Sequence, residues 1–122
     1  MARVLLIDDN RENFELMETF LRLEGHELIW VADGAQGLAL VRQRRPDLIL
    51  CDVVMPHLGG YAVLETIRAD PQLSDLPVIL FSAFMNDERR SIALHRGAAE
   101  VFARPFDLEK LRAAIKRCLG QA

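Results

Sequence analysis

The sequence predicts an α/β protein, a doubly wound five-stranded parallel sheet of (βα)5 type with helices on both faces. Three observations carry that expectation. Short apolar, often β-branched segments alternate with longer segments of helical periodicity through all 122 residues. The segments at 3–7 and 47–51 are nearly unbroken apolar runs, as a strand covered on both sides requires. Pro46, Pro71 and Pro77 fall between elements, where a missing N–H does least harm.

The elements follow in order. Arg3 to Ile7 reads as strand one. The helix after it carries Phe14, Met17 and Leu21 at i, i+3 and i+7, with Leu16, Phe20 and Leu23 widening the apolar face. Gly25 stops it. Glu27 to Val31 is strand two, and Asp33-Gly34 opens a helix marked by Leu38 and Val41. Asp47 to Cys51 is strand three; Gly59-Gly60 opens the helix of Val63, Leu64 and Ile67. Pro77 to Phe81 is strand four. Its helix, with Ile92, Ala93 and Leu94, is weaker and ends at Gly97. Glu100 to Ala103 is strand five. Asp107 caps a last helix with a clear stripe of Leu108, Leu111, Ile115, Cys118 and Leu119.

Composition narrows the function. The length fits one domain over 1–122, with no linker, repeat or output domain visible. Fifteen basic against 18 acidic residues, net charge -3, argues against direct nucleic-acid binding. No apolar run approaches the roughly 18 residues that span a bilayer, and the four-residue run before Asp8-Asp9 is too short for an export signal. A cytoplasmic protein without membrane contact is expected. Cys51 and Cys118 match no metal spacing and read as small core hydrophobes. His26, His57 and His95 read as surface residues, Trp30 and Tyr61 as packing residues, and Arg89 and Arg90 as a solvated face or a partner contact.

In an open parallel sheet, function sits past the carboxyl ends of the strands. Strand one ends in Asp8 and Asp9, strand three in Asp52, strand four in Ser82 and strand five in Arg104-Pro105. Three converging carboxylates repel one another, and a divalent cation removes the conflict. Oxygen donors without histidine or cysteine favour a hard ion, Mg2+ or Mn2+. A hydroxyl from Ser82 and a guanidinium from Arg104 at the same edge suggest an anion as the remaining ligand. A carboxylate beside a metal can act as a nucleophile and form an aspartyl phosphate. Spacing alone leaves open which aspartate does so.

Taken together, Leu6-Ile7-Asp8-Asp9-Asn10, the run Pro46 to Pro56, Gly59-Gly60-Tyr61, Pro77 to Ala83, Gly97-Ala98 and Arg104-Pro105-Phe106 resemble the receiver domains of two-component response regulators, over nearly the whole chain. The resemblance implies the flavodoxin-like, CheY-like strand order 2-1-3-4-5. It implies Asp52 as phosphoacceptor, Asp9 as a direct magnesium ligand, Asp8 as a second acid acting directly or through water, and the backbone carbonyl of Val54 as a further ligand. It places Ser82 at the hydroxyl that closes on the phosphoryl group, Phe102 at the switch aromatic, and Arg104-Pro105 at a bond often cis. The implied partners are a sensor histidine kinase or histidine phosphotransfer protein, and a downstream protein or output domain met by helix four, strand five and helix five. The implied oligomeric state is a monomer or a weak homodimer through that same face. Such a chain catalyses only its own phosphorylation and dephosphorylation.

The main departure is Arg104, where the family normally has lysine; arginine keeps the charge but presents a flat fork. That substitution supports an alternative, a phosphorylation-independent docking module. A phosphohydrolase of the haloacid dehalogenase type needs Asp-x-Asp after strand one, and Asp8 and Asp9 are adjacent.

Overall fold

Five strands and five helices alternate strictly in the computed structural model, which describes residues 1–120. They are β1 (Arg3–Ile7), α1 (Arg11–Leu23), β2 (Glu27–Val31), α2 (Gly34–Gln43), β3 (Leu48–Asp52), α3 (Gly60–Ala69), β4 (Val78–Ser82), α4 (Asp87–His95), β5 (Glu100–Ala103) and α5 (Leu108–Cys118). Positions 121 and 122, the end of the single domain expected over 1–122, lie outside the described residues. The strands form one parallel sheet in the order β2-β1-β3-β4-β5, the order that the family resemblance implied. No helix of the described residues is long and apolar enough to cross a membrane.

The period of two along each strand divides the core into two layers. Val4, Leu6, Leu48, Leu50, Ile79 and Phe81 face α1 and α5, packing on Met17, Phe20, Leu21, Leu111, Ala114 and Ile115. Leu5, Ile7, Ile49, Cys51, Val78, Leu80 and Val101 face the other way, onto Leu38, Val41, Val63, Leu64, Ile67 and Ala93 of α2, α3 and α4. The register then brings the carboxyl ends level. Ile7 lies opposite Cys51, Asp52 opposite Phe81, and Ser82 opposite Ala103.

Several expectations need correction. Strands three and four run one residue later than expected, to Asp52 and Ser82. Pro77 has no N–H to give the ladder, whereas Asp52 still pairs with Phe81. Leu16 and Leu23 do not widen the buried face of α1; they are 47% and 80% exposed. At 3.6 residues per turn they sit about 90–110° from its centre. Arg90 is not simply solvated. It donates to the Val101 carbonyl at 2.6 Å and pairs with Glu100. His26 is half-buried, its Nδ1 accepting the Ala2 N–H at 3.1 Å.

Ala93 is the one buried residue of α4, so polar contacts fasten that helix. Arg68 of α3 donates through Nε and Nη2 to the Gly97 carbonyl at 3.0 and 2.8 Å, and through Nη1 to the Leu76 carbonyl at 2.6 Å. Arg89 donates to the Phe84 carbonyl at 3.2 Å. One arginine fork thus ties the end of α4 to the turn before β4.

The turn into α3 presses against the end of β3. A Cβ at Gly60 would lie 2.5 Å from the Asp52 carbonyl oxygen and 2.9 Å from Val53 Cα, closer than side-chain carbons come to backbone. Gly60→Ala is therefore expected to lower stability by about 1–3 kcal/mol through overpacking. Urea unfolding of the two proteins measures it, and an unchanged midpoint would refute the contact.

Candidate functional site

β1, β3 and β4 deliver Asp8 and Asp9, Asp52 and Ser82 to one edge of the sheet, and the turn after β5 adds Arg104, whose N–H donates to the Ser82 carbonyl at 2.9 Å. Asp8 is fully buried and hydrogen-bonded at both oxygens. Oδ1 accepts the Asn10 N–H at 2.9 Å; Oδ2 accepts Asn13 Nδ2 at 3.1 Å and Arg104 Nη2 at 2.9 Å. Its backbone carbonyl accepts the Trp30 indole N–H at 2.7 Å. Trp30 in turn stacks on Phe14, with ring centroids 4.5 Å apart, and Arg11 lies 5.8 Å from its ring.

Asp52 is half-buried. Its Oδ1 accepts the Val54 N–H at 3.3 Å, and its Oδ2 lies 4.0 Å from Arg104 Nη2. Asp9 is exposed. One carboxylate oxygen from each of Asp8, Asp9 and Asp52 lies within 4.8 Å of the others. This all-oxygen, strongly negative donor set fits a hard divalent cation such as Mg2+ and offers nothing to a softer metal.

The electrostatics agree. Burial pushes the Asp52 carboxyl above the ordinary carboxylate range, and the neighbouring Asp8 charge pushes it further. Burial raises Asp8 as well, against the pull of the Asn10 amide and of Arg104. Burial also pushes the Cys51 thiol far up, which keeps it an inert core residue.

Ser82 stands at the expected strand end and is buried, with its hydroxyl turned to its own loop. Oγ accepts the Phe84 N–H at 3.1 Å and donates to the Phe84 carbonyl at 3.2 Å. Phe102, on β5, is half-buried; its ring lies 6.0 Å from Phe81 and 6.2 Å from Phe106, centroid to centroid. The Arg104–Pro105 bond is cis. Sequence reasoning missed Asn13 and the role of Trp30. The signal for Asn13 was present, since an asparagine one turn into α1 faces the strand end that its helix follows.

Comparison with known proteins adds the family. The response regulator receiver domain profile matches residues 4–116. The chain is 31% identical over 119 residues to the DNA-binding dual master transcriptional regulator RpaA of Synechocystis sp., covering 98% of this chain and 49% of that protein. It thus spans about half the length of that regulator. Protein PilH of Pseudomonas aeruginosa is 31% identical over 120 residues, covering 98% of this chain and 99% of PilH. Among solved structures, the receiver domain of sensor histidine kinase PA1611 from Pseudomonas aeruginosa, described with a magnesium ion coordinated in its active-site cleft, superposes with a TM-score of 0.87. It is 32% identical, with 98% of each chain covered.

The raised carboxyls fix a pH dependence. An acid whose folded-state pKa lies above its ordinary 3.8 binds its proton more tightly in the folded state. Its penalty is absent below that ordinary value and complete once pH exceeds the folded pKa, so stability falls as pH rises between the two. In chelator-treated protein, Asp52→Asn is expected to flatten this fall and to raise stability at pH 7. Urea unfolding between pH 4 and 7 measures both effects; an Asn variant less stable than wild type at pH 7 would contradict the repulsion.

Proposed function

The chain belongs to the response regulator receiver domain family, and from that footing we propose that it is a phosphoacceptor switch in which Asp52 takes a phosphoryl group from a phosphohistidine. Receiver domains are signalling modules of two-component systems that interact with histidine kinases and downstream effectors. The observation that carries the specific reading is the setting of Asp52. It ends the central strand, within a few ångströms of two other carboxylates and 4.0 Å from a guanidinium.

The transfer balances simply. The P–N bond of the phosphohistidine breaks, the imidazole keeps the electron pair, and a P–O bond forms to a carboxylate oxygen of Asp52. Asp8, Asp9, Asp52 and the Val54 carbonyl would hold magnesium, which would offset the charge on the phosphoryl oxygens. The residues do the positioning. Asn10 and Asn13 hold Asp8, the Val54 N–H orients Asp52, and Arg104 offers a cation at the same edge.

Phosphorylation adds about 1.5 to 2 negative charges. Ser82 then exchanges the Phe84 carbonyl for a phosphoryl oxygen, which moves the loop between β4 and α4. Phe102 repacks against Phe81 and Phe106 without a hydroxyl to guide it, and the face of α4, β5 and α5 changes its preference for a downstream partner. The donor in this scheme is a sensor histidine kinase or a histidine phosphotransfer protein. The second reading, docking without phosphorylation, draws its support from Arg104, whose fork is already committed to Asp8.

Incubation with acetyl phosphate and Mg2+, followed by intact mass, tests the switch. The expected result is one phosphate adduct in wild type and none in Asp52→Ala; an undiminished adduct in the variant, or none in wild type, refutes it. Lifetime is a separate matter. Val54 and Phe84 are 68% and 73% exposed, and with Tyr61 and Ile92 they line a cavity of about 320 Å³ beside Ser82. As apolar neighbours they limit the approach of attacking water. Val54→Asn and Phe84→Glu are expected to speed decay of the phosphorylated form several-fold, and unchanged decay would remove them from the scheme.

A further inference from the structure

Arg104 is held on three sides. Its Nη2 lies 2.9 Å from Asp8 Oδ2, and its guanidinium carbon lies 5.0 Å from the Phe81 ring centroid and 5.9 Å from that of Phe106. The side chain is only 21% exposed. A planar guanidinium suits this double contact, because it stacks on a ring while donating in its own plane. The same carboxylate belongs to the cluster whose oxygens converge within 4.8 Å. A dication there would meet a fixed positive charge and would have to share Asp8 with Arg104. The two rings that Arg104 sits on, Phe81 and Phe106, are also those against which Phe102 packs.

Resting on the ion-site reading above, we infer that Arg104 is a latch that competes with the divalent cation for Asp8 and couples its arrival to the aromatic cluster of Phe81, Phe102 and Phe106. This route does not pass through the Ser82 hydroxyl. It depends on arginine being flat as well as charged. Such a latch weakens cation binding and makes occupancy legible at β5 before any phosphoryl group arrives.

Two variants separate the latch from plain charge repulsion. Arg104→Gln removes charge and stack together. Phe106→Leu keeps the charge and removes one ring from beneath it. Manganese binding followed by electron paramagnetic resonance is expected to tighten about tenfold or more in Arg104→Gln, the scale of a lost hydrogen bond to a charged group. In Phe106→Leu the expected gain is about two- to fivefold. In wild type, Mg2+ should also move the backbone amide resonances of Phe102 and Phe106, and in Arg104→Gln those two should stay still. Equal affinity in all three proteins overturns the inference. So does tightening in Arg104→Gln alone with unresponsive Phe102 and Phe106 resonances, because charge repulsion then suffices. Should Arg104→Gln fail to fold, Phe106→Leu carries the test with the wild-type spectra. If none of the three takes up either ion, the ion site itself is wrong, an outcome distinct from the others.

Discussion

Two carboxylates from neighbouring strands, Asp8 and Asp52, meet where little water reaches, and the carboxyl edge of the sheet is organised around that crowding. An uncompensated charge in such a place costs several kcal/mol. The compensation is assembled from many directions. The Asn10 amide and the Asn13 side chain come from the start of α1, the Val54 amide from the loop after β3, and Arg104 from the turn after β5. The glycine pair at the start of α3 lets that loop close over the end of β3. Distant parts of the sequence are thus fixed relative to one another by a single electrostatic need.

The two packed layers give this edge a rigid base. The strands are apolar on both faces, and α1, α3 and α5 each bury several large side chains against them. α4 is different. It contributes one alanine to the core and is held by arginine side chains reaching backbone carbonyls and Glu100. Hydrogen bonds to charged groups can be exchanged for others with little loss of buried apolar area. Among the five helices, α4 is therefore the one that the core restrains least, which suits the switching face proposed above.

Most of the architecture was legible because parallel strands must be apolar on both sides, and few other segments look like that. Boundaries were less legible. Asp52 and Ser82 are polar yet complete their ladders, and composition does not reveal a hydrogen bond at a strand end. The widened stripe of α1 failed because Leu16 and Leu23 fit the period but lie at its flank. At the site, Asp8, Asp9, Asp52 and Arg104 stood out by their positions after strands. Trp30 and Arg68 did not, because their work is done by hydrogen bonds to residues 22 and 29 positions away. The turn of the Ser82 hydroxyl toward Phe84 is likewise a matter of rotamer, on which a residue string is silent.

Trp30 has one more consequence. It is the only tryptophan in the chain, and its indole is joined by a single hydrogen bond to the backbone of Asp8. Indole emission responds to the polarity and motion of its surroundings. The protein therefore carries its own ultraviolet gauge at the acidic edge, one that reads the loop around Asp8 without any attached dye.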